Sequence, residues 1–223
     1  KKSIENLEKM HKQMLRYEKK YYPLYETRYT SLLALNFNFS GEWAKAASIL
    51  DELLNKTSKA KFQERGILQV ILIRSVIHFQ QKEFSAAKQM MSKLWQQDSF
   101  YIKNLGLEWL IKKKFIEILI AIELGNTDAV DSLIASLYRK RTAYFKGANA
   151  IALPFLKLIE TYHKNPQHVK SKSFEKEVEA TFDWKPSEEE DLFFISYYSW
   201  LKSKMTQKPL YSITLNFLEN SNN

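Results

Sequence analysis

The sequence predicts an all-α fold, a right-handed α-solenoid of antiparallel helical hairpins, and three observations carry that expectation. First, one apolar spacing recurs, with an anchor followed at three, seven, ten and eleven residues by packing side chains. Trp43 leads to Ala46, Leu50, Leu53 and Leu54, and Phe84 leads to Ala87, Met91, Leu94 and Trp95. Thr127 leads to Val130, Ile134, Leu137 and Tyr138. These offsets hold one face of a helix with 3.6 residues per turn. Second, the anchors stand 41 and then 43 residues apart, a period that marks stacked helical hairpins. Third, five Gly and five Pro in 223 residues are too few for a β chain with many tight turns.

Taken in order, the first element is a helix carrying Ile4, Leu7, His11, Met14 and Leu15 at the same offsets, 39 residues before Trp43. It reads as the B half of an earlier hairpin whose A half is missing. The expectation is therefore a C-terminal portion of a longer array, with the upstream part absent and one apolar helix face uncovered. The first hairpin has helix A over about Arg28 to Asn38, a break at Ser40-Gly41, and helix B from Glu42 to Asn55. Gly suits the break because it tolerates left-handed backbone angles. The second hairpin runs from about Ala60 to Gln97, with a strongly apolar helix A and Gln81-Lys82 at the break. The third has helix A from about Leu105 to Leu124, a break at Gly125-Asn126, and helix B from Thr127 to about Tyr144. Helix A keeps register as well. Eleven residues before the anchors stand Leu32, Ile73 and Ile116, and eight before them stand Leu35, Val76 and Leu119.

Beyond Gly147 the pattern loosens. A helix is expected over Ala148 to His163, with Pro154 either at a kink or in its first turn. Asn165-Pro166 ends it, and Phe174, Val178 and Phe182 mark a shorter helix. Ser187-Glu188-Glu189-Glu190 forms a capping box, opening a helix to about Lys204 that is apolar nearly all round and suited to burial as an end cap. Pro209 starts a last short helix. The chain thus divides into helical repeats over 1–164 and a helical cap over 165–223.

The run Ser40-Gly41-Glu42-Trp43-Ala44-Lys45-Ala46 resembles the inter-helix turn of a tetratricopeptide repeat, with a Gly, an aromatic and a small residue at its spacing. Gln81-Lys82-Glu83-Phe84-Ser85-Ala86-Ala87 is a weaker copy, and Leu124-Gly125-Asn126-Thr127 keeps the Gly without the aromatic. The period exceeds the family's usual ~34 residues, so these are degenerate, lengthened units. Ile118 to Asn126, the basic Tyr138-Arg139-Lys140-Arg141 and the ending Leu192 to Leu201 are also similar to a group of bacterial helical-repeat proteins of unassigned activity. The resemblance spans most of residues 28–215. It implies a TPR-like superhelix and a partner-binding scaffold, and no activity.

Composition narrows function mainly by exclusion. There is no cysteine, which removes disulfides and thiolate metal sites. The densest apolar run, Leu192 to Leu201, is half the roughly 20 residues of a membrane span, and no signal-peptide core is visible. A cytoplasmic location is the expectation. Residues 1–147 hold 25 Lys/Arg against 15 Asp/Glu, while 148–223 hold nine against ten. A basic body suits nucleic acid or an acidic partner; lysines dispersed among glutamates also suit simple solvated helix faces.

Two basic clusters stand out, Lys112-Lys113-Lys114 early in the third helix A and Arg139-Lys140-Arg141 late in its helix B. In an antiparallel hairpin they meet at one end, beside Tyr138 and Tyr144, where a phosphate strand and a stacked base would fit. Three adjacent basic residues also fan around a helix, and cations near a helix C-terminus favour its dipole. His163 and His168 flank a turn rather than taking the i,i+4 spacing of a helical metal site. The acidic residues Glu188 to Asp191 suit the N-terminal end of a helix dipole. Trp43 and Trp95 sit on the packing template and are expected in the core. No phosphate loop or nucleophile elbow is present, so no catalytic, cofactor-binding or metal-binding residue is assigned. The expected function is a protein-interaction scaffold whose concave groove, lined largely by A helices, takes a protein or peptide partner. The alternative is a nucleic-acid-binding module using the six basic residues of the third hairpin.

Overall fold

The computed structural model describes residues 2–16, 22–56, 64–182 and 192–221. Among these residues every regular element is helical and no strand occurs. The helices are α1 (Lys2–Arg16), α2 (Tyr22–Phe39), α3 (Trp43–Lys56), α4 (Glu64–Gln80), α5 (Phe84–Met91), α6 (Asp98–Leu105) and α7 (Leu107–Glu123). They continue as α8 (Thr127–Arg139), α9 (Arg141–Tyr144), α10 (Ala152–Lys164), α11 (Lys172–Thr181), α12 (Leu192–Thr206) and α13 (Leu210–Ser221). Short 3-10 turns at Gly147–Ile151 and Pro166–Lys170 flank α10.

The three sequence breaks fold into the same turn. Glu42 N donates to Phe37 O at 2.8 Å, Glu83 N to His78 O at 2.9 Å and Asn126 N to Ala121 O at 2.9 Å. One residue earlier, the amides of Gly41, Lys82 and Gly125 bond Asn38 O, Phe79 O and Ile122 O. This is the Schellman pattern that satisfies the last carbonyls of a helix. It needs a left-handed residue, and φ is +86° at Gly41, +63° at Lys82 and +68° at Gly125. Lys82 adopts that angle despite its side chain, at a cost of about 1–2 kcal/mol.

Packing follows from these turns. The pairs α2–α3, α4–α5 and α7–α8 each lie in contact, α4 also packs on α2 and α3, and α7 on α4 and α5. The template positions at three, seven and ten residues past each anchor are buried throughout: Ala46, Leu50, Leu53; Ala87, Met91, Leu94; Val130, Ile134, Leu137. Helix α4 is apolar around its circumference because α2, α3, α5 and α12 all touch it. A side chain at Gly66 would stand 2.8 Å from Thr27, so this glycine permits the close approach of α4 to α2.

Several expectations are corrected. The second helix B does not reach Gln97. The amides of Ser92, Lys93 and Leu94 bond Lys88 O, Met90 O and Met91 O, winding the chain out of the helix after Met91. Leu94 still turns inward at 4% exposure, but Trp95 is 79% exposed and is not a core residue. A separate helix, α6, follows before α7. The third helix B ends at Arg139, and Lys140 (φ −102°, ψ 8°) bridges to α9. Pro154 stands third in α10, in the first turn, where its missing N–H breaks no helical bond. Ser171 caps α11 by accepting from Phe174 N at 3.1 Å. The capping box, the acidic run Glu188 to Asp191 and Trp184 lie outside the described residues.

Helix α12 reaches further than an end cap. It packs on α4, and α13 packs on α2. Tyr197, fully buried, stacks on Phe155 with centroids 4.8 Å apart, meets Phe115 edge-on at 5.6 Å and donates to Lys112 O at 2.8 Å. Trp200 donates to Glu123 Oε1 at 2.6 Å. A buried polar chain ties the layers together. Asn38 Nδ2 donates to Gln80 Oε1 at 2.9 Å, Gln80 Nε2 to Ser196 Oγ at 3.0 Å, and Tyr211 OH to Asn38 O at 2.5 Å. Helices α12 and α13 therefore lie against α4, α7 and α2, the helices to which an A-helix groove is assigned from the sequence. No described helix is long and apolar enough to cross a membrane.

Candidate functional site

Of the six basic residues only Lys114 on α7 and Lys140 after α8 are brought together, by a carboxylate that sequence reasoning passed over. Asp98, the first residue of α6, accepts from Lys140 Nζ at 2.9 Å and lies 3.1 Å from Lys114 Nζ. Tyr144 OH donates to the same carboxylate at 3.2 Å. Lys112 pairs with Glu108 at 2.5 Å, one helical turn back. Lys113 is only 4% exposed and pairs with Glu117. Arg139 and Arg141 remain exposed and without an ion pair among the described residues. The tyrosines are committed too. Tyr144 is 6% exposed, and Tyr138 OH donates to Glu160 at 2.6 Å. Burial first, then the Glu160 carboxylate, pushes the Tyr138 phenol up to about 12. The four lysines are thus held by carboxylates of the same chain, and the two arginines stand in water.

Burial works against ionised Asp98, yet the hydrogen bonds and charges of Lys140 and Lys114 outweigh it and hold the carboxyl down at about 2. The sign follows directly. A carboxylate held below its ordinary value stabilises the fold at neutral pH, and that contribution disappears as pH falls from about 4 through about 2. After allowance for solvent screening it amounts to about 1–2 kcal/mol. Acid titration of the unfolding midpoint should show Asp98→Asn less stable than the wild type at pH 7, with the two curves converging near pH 2. A constant gap across that range would exclude the network as the cause.

A separate feature lies between α5, α7 and α8. There a cavity of about 450 Å³ is walled by Met91, Leu94, Ile120, Leu124 and Leu133, with Trp95 among its lining residues. Two charged side chains line it, Lys88 and Glu117. Glu117 binds Lys113 and stands 4.0 Å from Lys114, whereas Lys88 is exposed and has no ion pair among the described residues. No sequence signal marks this cavity, because the recurring spacing runs on through Trp95 although α5 ends at Met91.

Two of the four histidines each face a single carboxylate. His78 Nδ1 lies 2.5 Å from Glu83, and His163 Nε2 lies 3.0 Å from Asp131. No group of three or more potential metal ligands occurs among the described residues. No family model matches the chain, and no curated protein or solved structure matches it either.

Proposed function

We propose that the chain is a non-catalytic protein-interaction scaffold, a right-handed stack of tetratricopeptide-like antiparallel hairpins that binds a protein or peptide partner. The identical turns after α2, α4 and α7 support the repeat reading, as does the contact of each of these helices with the next. With α12 and α13 against α4, α7 and α2, the partner-facing surface in this reading is the N-terminal end of the stack.

The observation that carries the proposal is the distribution of exposed apolar side chains. Of seven exposed large apolar side chains among the described residues, four lie on the adjoining α1 and α2: Met10 and Leu15, at 37% and 59%, and Tyr25 and Leu32, at 53% and 37%. Exposed apolar side chains concentrated on two adjoining helices support an interaction site there. The nucleic-acid reading has less support, since four of its six cations already bind carboxylates of the same chain.

Affinity capture with the wild-type chain and with Leu15→Glu and Tyr25→Glu tests the proposal. A partner retained by the wild type and lost from both variants, with unfolding midpoints unchanged, is the expected result. Identical recoveries from all three would remove this surface from consideration.

A further inference from the structure

The cavity beside Trp95 has an origin in the irregularity of the second hairpin. Helix α3 has 14 residues and α5 has 8, although both begin at the same template position. On α3 the tenth and eleventh positions are Leu53, buried, and Leu54, packed against the core. On the second unit the helix has already ended. Leu94 folds inward, Trp95 swings out to 79% exposure, and the space beside α7 and α8 is left unfilled.

Its lining sets the chemistry of an occupant. The walls are mainly aliphatic, and the volume of about 450 Å³ falls within the range of small-molecule sites, about 300–1,000 Å³. Trp95 and Leu124, exposed by 79% and 38%, stand in the lining as apolar surface that a ligand would cover. The Glu117 charge is balanced by Lys113, on Oε1, and by Lys114, 4.0 Å from Oε2, an oxygen that accepts no hydrogen bond among the described residues. That leaves Lys88 as the lining charge without an ion pair among the described residues. The surrounding body is basic as well, with ten more Lys/Arg than Asp/Glu over residues 1–147. An apolar chamber with a cationic side chain at hand favours a ligand that is apolar in its body and anionic at one end.

We propose that this cavity is a binding site for a small amphipathic anion, such as a medium-chain carboxylate, with its apolar body between α7 and α8 under Trp95 and its anionic end at Lys88. The proposal does not depend on the scaffold reading, because it concerns the purified chain without a partner.

Titration calorimetry with decanoate, decanol and decylamine, each well below micelle-forming concentration, provides the test. Decanoate should bind at least about tenfold more tightly than decanol, and decylamine more weakly than either. Lys88→Glu should weaken decanoate by about tenfold or more and bring decylamine above it. Ala129→Phe, which adds volume at the wall, should remove binding of all three, with its unfolding transition recorded alongside. If that variant fails to fold, the charge reversal at exposed Lys88 still decides the matter. Absence of binding by every probe, equal binding of decanoate and either other probe, or indifference to Lys88→Glu would overturn the proposal.

Discussion

Truncating Trp200 to Ala is expected to lower stability by about 3–5 kcal/mol, as for other large buried aromatics. The side chain is 1% exposed and meets Tyr162 edge-on at 5.1 Å. Its indole donates to Glu123 Oε1, which also pairs with Lys204. Removing the ring opens a cavity and strips the carboxylate of a hydrogen-bond donor, so the two losses add. Equilibrium urea unfolding should show the shift as a lower midpoint with little change in slope. Trp95→Ala is the control, since at 79% exposure its removal should cost no more than about 0.5 kcal/mol. Equal losses at the two positions would contradict the described packing of α12.

The second large effect concerns the pair formed by buried Lys113 and half-buried Glu117. Lys113 is 4% exposed, and among the described residues its ammonium has, apart from Glu117, only the Tyr101 ring, 5.5 Å away. Glu117→Leu leaves that charge uncompensated, and breaking such a pair typically costs about 3–5 kcal/mol. Replacing both partners by apolar residues removes the buried charge as well as its counterion. Lys113→Met with Glu117→Leu should therefore recover to within about 1 kcal/mol of the wild type. Simple additivity of the two single losses in a double-mutant cycle would show that the residues do not act as a pair.

Much of the fold was legible in the sequence because the residues that repeat are the ones that close turns and fill the interior. Ser40-Gly41, Gln81-Lys82 and Gly125-Asn126 were readable as breaks, and all three are turns with the same hydrogen bonds. Lys82 was identified by position alone, since nothing in a lysine advertises a left-handed angle. The template failed at Trp95, where spacing continued in the sequence after the helix had stopped. Periodicity reports which face a residue would take if the helix persisted, and says little about where a helix ends. The basic clusters were read as neighbours across the third hairpin, and Lys114 and Lys140 do converge. Their shared carboxylate was not legible, because Asp98 lies on α6, a helix the period has no place for. Likewise Glu108 and Glu117 stand four residues from Lys112 and Lys113, a spacing that offers i,i+4 pairs and could have warned that these lysines were already engaged.

The hydrogen bond from Tyr211 to Asn38 joins residues 173 positions apart in the chain. In a linear array each unit depends only on its neighbours, so the ends can fray while the middle holds. Here α2 and α13 share an interface, and neither can finish forming until the chain between them is present. Such distant closure slows folding, because chain entropy is lost before the contact rewards it. It also binds these two helices into one cooperative unit, so that hydrogen exchange in α2 and α13 should report the same opening event.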